Sequence, residues 1–247
     1  MIDVFDTHLH IIDPAHPLIE NQGYLPEPFT AADYLAYPLG EFRITAGAVV
    51  SGSFQGFDQG YLADALAELG PTFKGVTQIP ADTPDEEILR LDGLGVRAVR
   101  FNLKRGGSAE VADLDRLARR VNEVAGWHTE LYVDAREAGP LKDTLISLPA
   151  VSIDHLGMHE DGLPLLLELV EAGVRVKATG FGRIEMDPAR AMRAILDVNP
   201  GALMVGTDLP STRAKRPFEV HDFEIIAEVA GEHAPAVFYD NAAAFYA

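Results

Sequence analysis

The sequence predicts a single-domain (β/α)8 barrel over residues 1–247. Three observations carry that expectation. Short β-branched runs alternate with longer stretches of helical period, the pattern of βα units around a parallel sheet. Eight such runs can be counted, one for each strand of a barrel. The length of 247 residues suits one barrel of ~250 residues, with two domains of ~125 as the alternative.

The eight runs are residues 4–10, 44–50, 73–79, 96–102, 129–134, 150–156, 174–179 and 202–208. The first is followed by H-I-I-D-P-A-H-P, which lacks the Gly-rich turn of an open nucleotide-binding sheet. Residues 11–40 carry Pro14, Pro17, Pro26, Pro28 and Pro38, and read as a long, stiffened loop at the barrel's C-terminal mouth. Helical spacing then recurs in order. Leu62, Ala65, Leu66 and Leu69 share a face in 60–69. Residues 84–94 open on Thr83 as a cap, Pro84 in the first turn and the acids Asp85, Glu86 and Glu87. Leu114, Leu117, Val121 and Val124 form a stripe in 112–124. Segments 163–172, 188–198, 218–230 and 241–246 complete the helices.

Composition narrows the function. With 20 basic and 38 acidic residues the net charge is −18, which argues against nucleic acid and anionic membranes as partners. The absence of cysteine excludes disulfides, thiolate metal sites and cysteine nucleophiles. No apolar run approaches the ~20 residues of a membrane span, and no signal-type segment is visible. The expectation is a cytoplasmic protein, monomeric or homodimeric.

Chemistry concentrates at three strand ends. In Asp6-Thr7-His8-Leu9-His10, residues two apart share a strand face, so His8 and His10 project together ~6–7 Å apart with Asp6 below them. In Ser152-Ile153-Asp154-His155, alternation allows only one of Asp154 and His155 to point inward, and His155 is the candidate. In Gly206-Thr207-Asp208-Leu209-Pro210, Asp208 ends the eighth strand, where a carboxylate can orient or deprotonate a water. A barrel brings the ends of strands one, six and eight to one pocket.

D-T-H-L-H, I-D-H-L-G and G-T-D-L-P, in that order, resemble the amidohydrolase superfamily, and within it the amidohydrolase-2 branch of lactonases and decarboxylases. A-G-A-V-V-S-G-S-F-Q-G-F-D (46–58), G-V-R-A-V-R-F-N (95–102), G-W-H (126–128), K-A-T-G-F-G-R (177–183) and N-A-A-A-F-Y (241–246) bring it nearest to the lactonases that open 2-pyrone-4,6-dicarboxylate. The resemblance implies a barrel hydrolase that attacks a small carboxylated lactone with an activated water. It implies His8, His10, His155 and Asp208 as catalytic residues. In metal-using relatives the same four would hold one divalent ion, zinc or manganese by donor type. The dicarboxylate lactonases are expected to work without a metal, their histidines polarising the carbonyl and the Asp acting as general base.

The scarce cations point to an anionic substrate. Arg100 shares its strand phase with Asn102 and should point inward, where it needs an anion or an internal carboxylate. By resemblance, Arg100 and Arg183 would hold substrate carboxylates, and Tyr24 would contact the substrate. Arg105, or its neighbour Lys104, would stand for a third cation, although K-R-G-G-S departs from the family pattern. Ser53 and Gln55 are candidates for neutral contacts, and His128 is expected to be structural. Two other readings are a metal-dependent decarboxylase of the same branch and a barrel that binds an anion without turnover.

Overall fold

Every predicted run becomes a strand, and the strands pair in chain order. In the computed structural model, which describes all residues 1–247, they are β1 (Ile2–Leu9), β2 (Phe42–Val50), β3 (Phe73–Thr77), β4 (Val96–Asn102), β5 (His128–Tyr132), β6 (Val151–Ile153), β7 (Arg175–Ala178) and β8 (Leu203–Val205). All seven ladders from β1 to β8 are parallel. The helices are α1 (Ala31–Leu35), α2 (Gly60–Leu69), α3 (Asp85–Gly93), α4 (Leu114–Ala125), α5 (Lys142–Ser147), α6 (Leu163–Glu171), α7 (Pro188–Val198), α8 (Val220–Ala230) and α9 (Asn241–Phe245). None is long and apolar enough to cross a membrane. The eight parallel strands with helices between them form the predicted single-domain barrel.

Strands six and eight stop earlier than their sequence runs. His155 and Asp208 adopt left-handed backbone, with φ of 53° and 61°. That conformation is unfavourable for residues with a Cβ and ends a ladder. Both turns lie at the mouth, where they aim side chains that strand alternation would have sent elsewhere.

Three local features differ from expectation. The proline-rich segment contains α1, started by a capping box in which Thr30 Oγ1 accepts from Asp33 N at 3.2 Å and Asp33 accepts from Thr30 N at 2.8 Å. Helix α5, between β5 and β6, carries no strong stripe and was not predicted. Thr83 does not cap α3, because its hydroxyl turns back to the Pro80 carbonyl at 2.7 Å.

Packing separates into two unequal cores. A cluster of 53 buried apolar residues lies between strands and helices, whereas the second cluster has nine and is built around small side chains such as Ala46, Ala48 and Ala98. The narrow apolar filling leaves the axis to charged groups: Arg100, Glu130, Asp154 and Lys177 are all buried. Tyr246 closes the end opposite the mouth, stacked on Phe5 at 5.3 Å and against His128 at 4.7 Å. His128 is structural, as expected, with Nε2 3.1 Å from Glu130 Oε1.

Between β8 and β1 no ladder forms, and individual hydrogen bonds complete the barrel. Thr7 Oγ1 donates to the Val205 carbonyl at 2.7 Å, Asp208 N to His8 O at 2.7 Å, and His10 N to Leu209 O at 2.8 Å. The Asp6 carboxylate accepts from Thr207 N (2.9 Å), Thr207 Oγ1 (2.7 Å), Tyr34 Oη (2.8 Å) and His8 N (3.1 Å). Burial pushes the Asp6 carboxyl up to about 6 despite these donors. Gly206 is required here by proximity, since a Cβ would stand 2.9 Å from His8 N. Asp6→Ala should therefore lower unfolding stability by roughly 2–4 kcal/mol in urea titration, because it strands several buried donors. Tyr34→Phe should cost only about 1 kcal/mol, and a loss for Asp6→Ala no larger than that would show that the seam does not depend on this carboxylate.

Candidate active site at the barrel mouth

A register shift in β1 between Asp6 and Leu9 decides which way the histidine motif faces. The shift breaks simple alternation. Asp6 turns to the β8 seam and Tyr34 instead of lying beneath the histidines, which corrects the sequence expectation. His8 and His10 do converge, with ring centroids 5.0 Å apart, and His155 joins them at 4.8 Å from His8.

The hydrogen-bond partners fix how these rings present themselves. His10 Nδ1 meets the Val50 carbonyl at 2.7 Å. A carbonyl only accepts, so Nδ1 carries the proton and Nε2 offers its lone pair. That Nε2 stands 3.7 Å from Asp208 Oδ1, and His8 Nε2 stands 3.8 Å from the same oxygen. Two nitrogens and a carboxylate oxygen thus face one small volume. Both ring nitrogens of His8, Nδ1 of His155 and Oδ1 of Asp208 are buried without a hydrogen-bond partner. Orphaned polar atoms at one point are the mark of a site that receives a proton donor, a water or a cation.

Asp154 was expected to face outward, and the structure reverses that. The left-handed turn at His155 lets both residues point inward. Asp154 Oδ2 accepts from Arg100 Nη2 at 2.8 Å, while Oδ1 stands 3.3 Å from His8 Nδ1. Burial opposes the charge on Asp154, but His8, Lys177 and Arg100 hold its carboxyl well below the ordinary range. Burial pushes His8 down to about 3 against the pull of Asp154, and drives His155 well below its ordinary value against Asp208. His8 and His155 are therefore neutral at physiological pH. Burial also opposes ionisation of Asp208, yet Arg183 and the surrounding histidines hold it well below the usual carboxylate range.

The predicted cations divide into two groups. Arg183 lies on Asp208: Nε donates to Oδ2 at 2.8 Å, Nη2 also reaches that oxygen, and Nη2 donates to the Thr212 carbonyl at 2.9 Å. Arg100 binds Asp154 and the Ser51 carbonyl (2.7 Å), with its Nε buried and unpartnered. Above them lies a cavity of about 190 Å³, lined by Lys104, Arg105, Arg136, Arg183, Arg213 and Lys215 with Tyr132, Asp134, Met158, His159 and Glu185. A narrower extension, lined in part by Arg100, Ser53 and Asn102, leads down to His10 and His155. Asp134 engages Lys104 at 3.3 Å and Arg136 at 2.7 Å, and Glu185 engages Lys215 at 3.2 Å. Arg105 and Arg213 meet no carboxylate; they contact Gln22 and Asn21.

The neutral candidates fare unequally. Ser53 lines the inner cleft and donates to Asn21 Oδ1 at 3.1 Å. Gln55 does not line it: Nε2 donates to the Ile11 carbonyl at 2.8 Å and Oε1 accepts from Gly52 N at 2.6 Å, so its amide braces the loop. Tyr24 lines neither part of the cleft and lies under the Arg213 guanidinium, which is 4.4 Å from its ring centroid. Sequence reasoning passed over Arg213 and Tyr132. Arg213 follows β8 in the same mouth position that singled out Arg183 after β7. Tyr132 ends β5 in phase with inward-facing Glu130, and its ring lies 5.0 Å from His155.

His8, His10 and Asp208 offer ligand atoms within 4.8 Å of one another, as do His8, Asp154 and His155. The mixed imidazole and carboxylate set, with orphaned donors, fits one divalent ion such as zinc or manganese.

The chain's likenesses agree with this geometry. A family model described as Amidohydrolase matches residues 5–247. Over 157 residues the chain is 28% identical to a Comamonas testosteroni protein named 2-pyrone-4,6-dicarboxylate hydrolase, a stretch that is 62% of this chain and 51% of that one. The match thus spans about half the length of that relative. An Acinetobacter baumannii protein, provisionally named 2-pyrone-4,6-dicarboxylic acid hydrolase and solved with citric acid bound, shares the fold with a TM-score of 0.84 at 20% identity over 98% of each chain. A protein from Agrobacterium tumefaciens does so with a TM-score of 0.85 at 20% identity, over 98% of this chain and 95% of its own. The family match takes in the β1 histidines, His155 and Asp208 together, and by it the chain belongs to the amidohydrolase family.

Proposed function

We propose that the protein is a hydrolase that opens a small lactone bearing carboxylates, of the 2-pyrone-4,6-dicarboxylate type. The observation that carries this reading is the placement of charge. The chain has a net charge of −18, yet six of its 20 lysines and arginines line one cleft above the histidines and Asp208. A cleft of that character collects a small anion and orients it by charge-assisted hydrogen bonds. The names of the Comamonas and Acinetobacter relatives support the same substrate class, as does the tricarboxylate bound to the latter.

The chemistry follows from the site. Arg105 and Arg213, which have no carboxylate partner, receive the substrate carboxylates. The lactone carbonyl then enters the inner extension, where a neutral His155 keeps its ring proton and donates a hydrogen bond to the developing oxyanion. Asp208, ionised and buried, takes a proton from the attacking water and returns it to the leaving ring oxygen. Arg183 begins on Asp208; a substrate carboxylate that competes for this guanidinium frees Oδ2 for the water. His8, His10, Asp208 and nearby His155 are the residues that would hold a divalent ion. When bound, that ion would supply Lewis-acid polarisation of the carbonyl and a lowered pKa for water.

Incubation of the protein with 2-pyrone-4,6-dicarboxylate should cause loss of pyrone absorbance with uptake of water and no release of carbon dioxide. Decarboxylation with the lactone intact would contradict the reading. Asp208→Asn should lower kcat by ~10³-fold with an unchanged circular dichroism spectrum, as expected for removal of a proton acceptor. Arg105→Met should raise KM by ~10-fold or more while kcat stays within about threefold, the signature of a lost charged hydrogen bond to substrate. An unchanged KM would make Arg105 a loop charge without a substrate.

A further inference from the structure

Lys177, on β7, is buried on the barrel axis and lines neither part of the cleft. A buried ammonium needs its charge balanced and its three donors engaged. Nζ donates to the Thr7 carbonyl at 2.8 Å and to Glu130 Oε2 at 2.5 Å, and stands 3.6 Å from Asp154 Oδ1. Two of these partners lead to one imidazole. Thr7 immediately precedes His8, so its carbonyl anchors the backbone from which the ring projects. Asp154 Oδ1 stands 3.3 Å from His8 Nδ1. The third partner, Glu130, is held at the closed end of the barrel by the Tyr246 hydroxyl and by His128. Lys177 is thus fixed from below and faces, above, two groups that adjoin His8: the Thr7 carbonyl it bonds and the Asp154 carboxylate.

We infer that Lys177 is a positioning residue. It sets the His8 ring with the proton on Nδ1 towards Asp154 and the lone pair of Nε2 towards Asp208, without touching substrate. The kinetic consequence rests on the hydrolysis proposed above, whereas the ring state does not. Neutralisation of Glu130 alone would be a structural role, and it predicts a different outcome when both charges are removed together.

The test compares wild type, Lys177→Met and the double variant Lys177→Met/Glu130→Gln, which leaves no lone carboxylate at position 130. Both variants should lower kcat for 2-pyrone-4,6-dicarboxylate by ~100-fold, as small misplacements in an active site do. KM should stay within about threefold, because the cleft cations are untouched. In 15N NMR of chelator-dialysed protein, wild-type His8 should be the Nδ1–H tautomer, and the double variant should move towards a mixture of the two tautomers. A folded double variant with wild-type kcat, or with wild-type His8 shifts, would overturn the inference. So would an Nε2–H tautomer in the wild-type protein, whether or not either variant folds. A wild-type protein that opens no lactone would defeat the proposed function and leave the tautomer to decide the role of Lys177.

Discussion

A carboxylate buried at the centre of a barrel must be surrounded by positive charge and hydrogen-bond donors, or it will not stay ionised there. Asp154 is such a group, and much of the site is arranged by that requirement. Its two oxygens take Arg100 on one side and face His8 and Lys177 on the other. Lys177 brings Glu130, and Glu130 brings Tyr246 from the last turn of the chain. The axis is therefore a line of alternating charges running from the closed end to the mouth. Removing one member leaves its neighbour buried and unpaired, which is far more costly than any single bond in the line.

The same rule governs the upper layer. Asp208 and Arg183 neutralise each other at the cleft floor, and burial keeps His8 and His155 uncharged, so their lone pairs and protons are available for chemistry. Above this balanced floor, Arg105 and Arg213 have no carboxylate partner. In the proposed function, an incoming anion completes them. The strongly acidic surface then acts as contrast: it disfavours anions elsewhere and leaves the mouth as the place where one can settle.

Much of this was legible in the sequence because strand periodicity is a local property. The eight runs, the shared face of His8 and His10, and the placing of His155 and Asp208 at strand ends all followed from it. Asp154 was misread for the same reason, since alternation fails where His155 takes a left-handed backbone. Asp6 was misread because a register shift in β1 turns it to the seam. Gln55 has the right position in the chain for a substrate contact, but its amide is engaged by Ile11 and Gly52, which no local pattern announces. The pairing of Arg183 with Asp208 joins residues 25 apart in sequence and depends on the closed barrel.

In the proposed function, carboxylate recognition by the mouth cations delivers a lactone to Asp208. It is tested most directly by comparing kcat/KM for 2-pyrone-4,6-dicarboxylate with that for its dimethyl ester, which keeps the ring and removes both charges. For the ester a fall of ~10³-fold or more is expected, the worth of two charged hydrogen-bond sites. Equal turnover of the acid and the ester would contradict it.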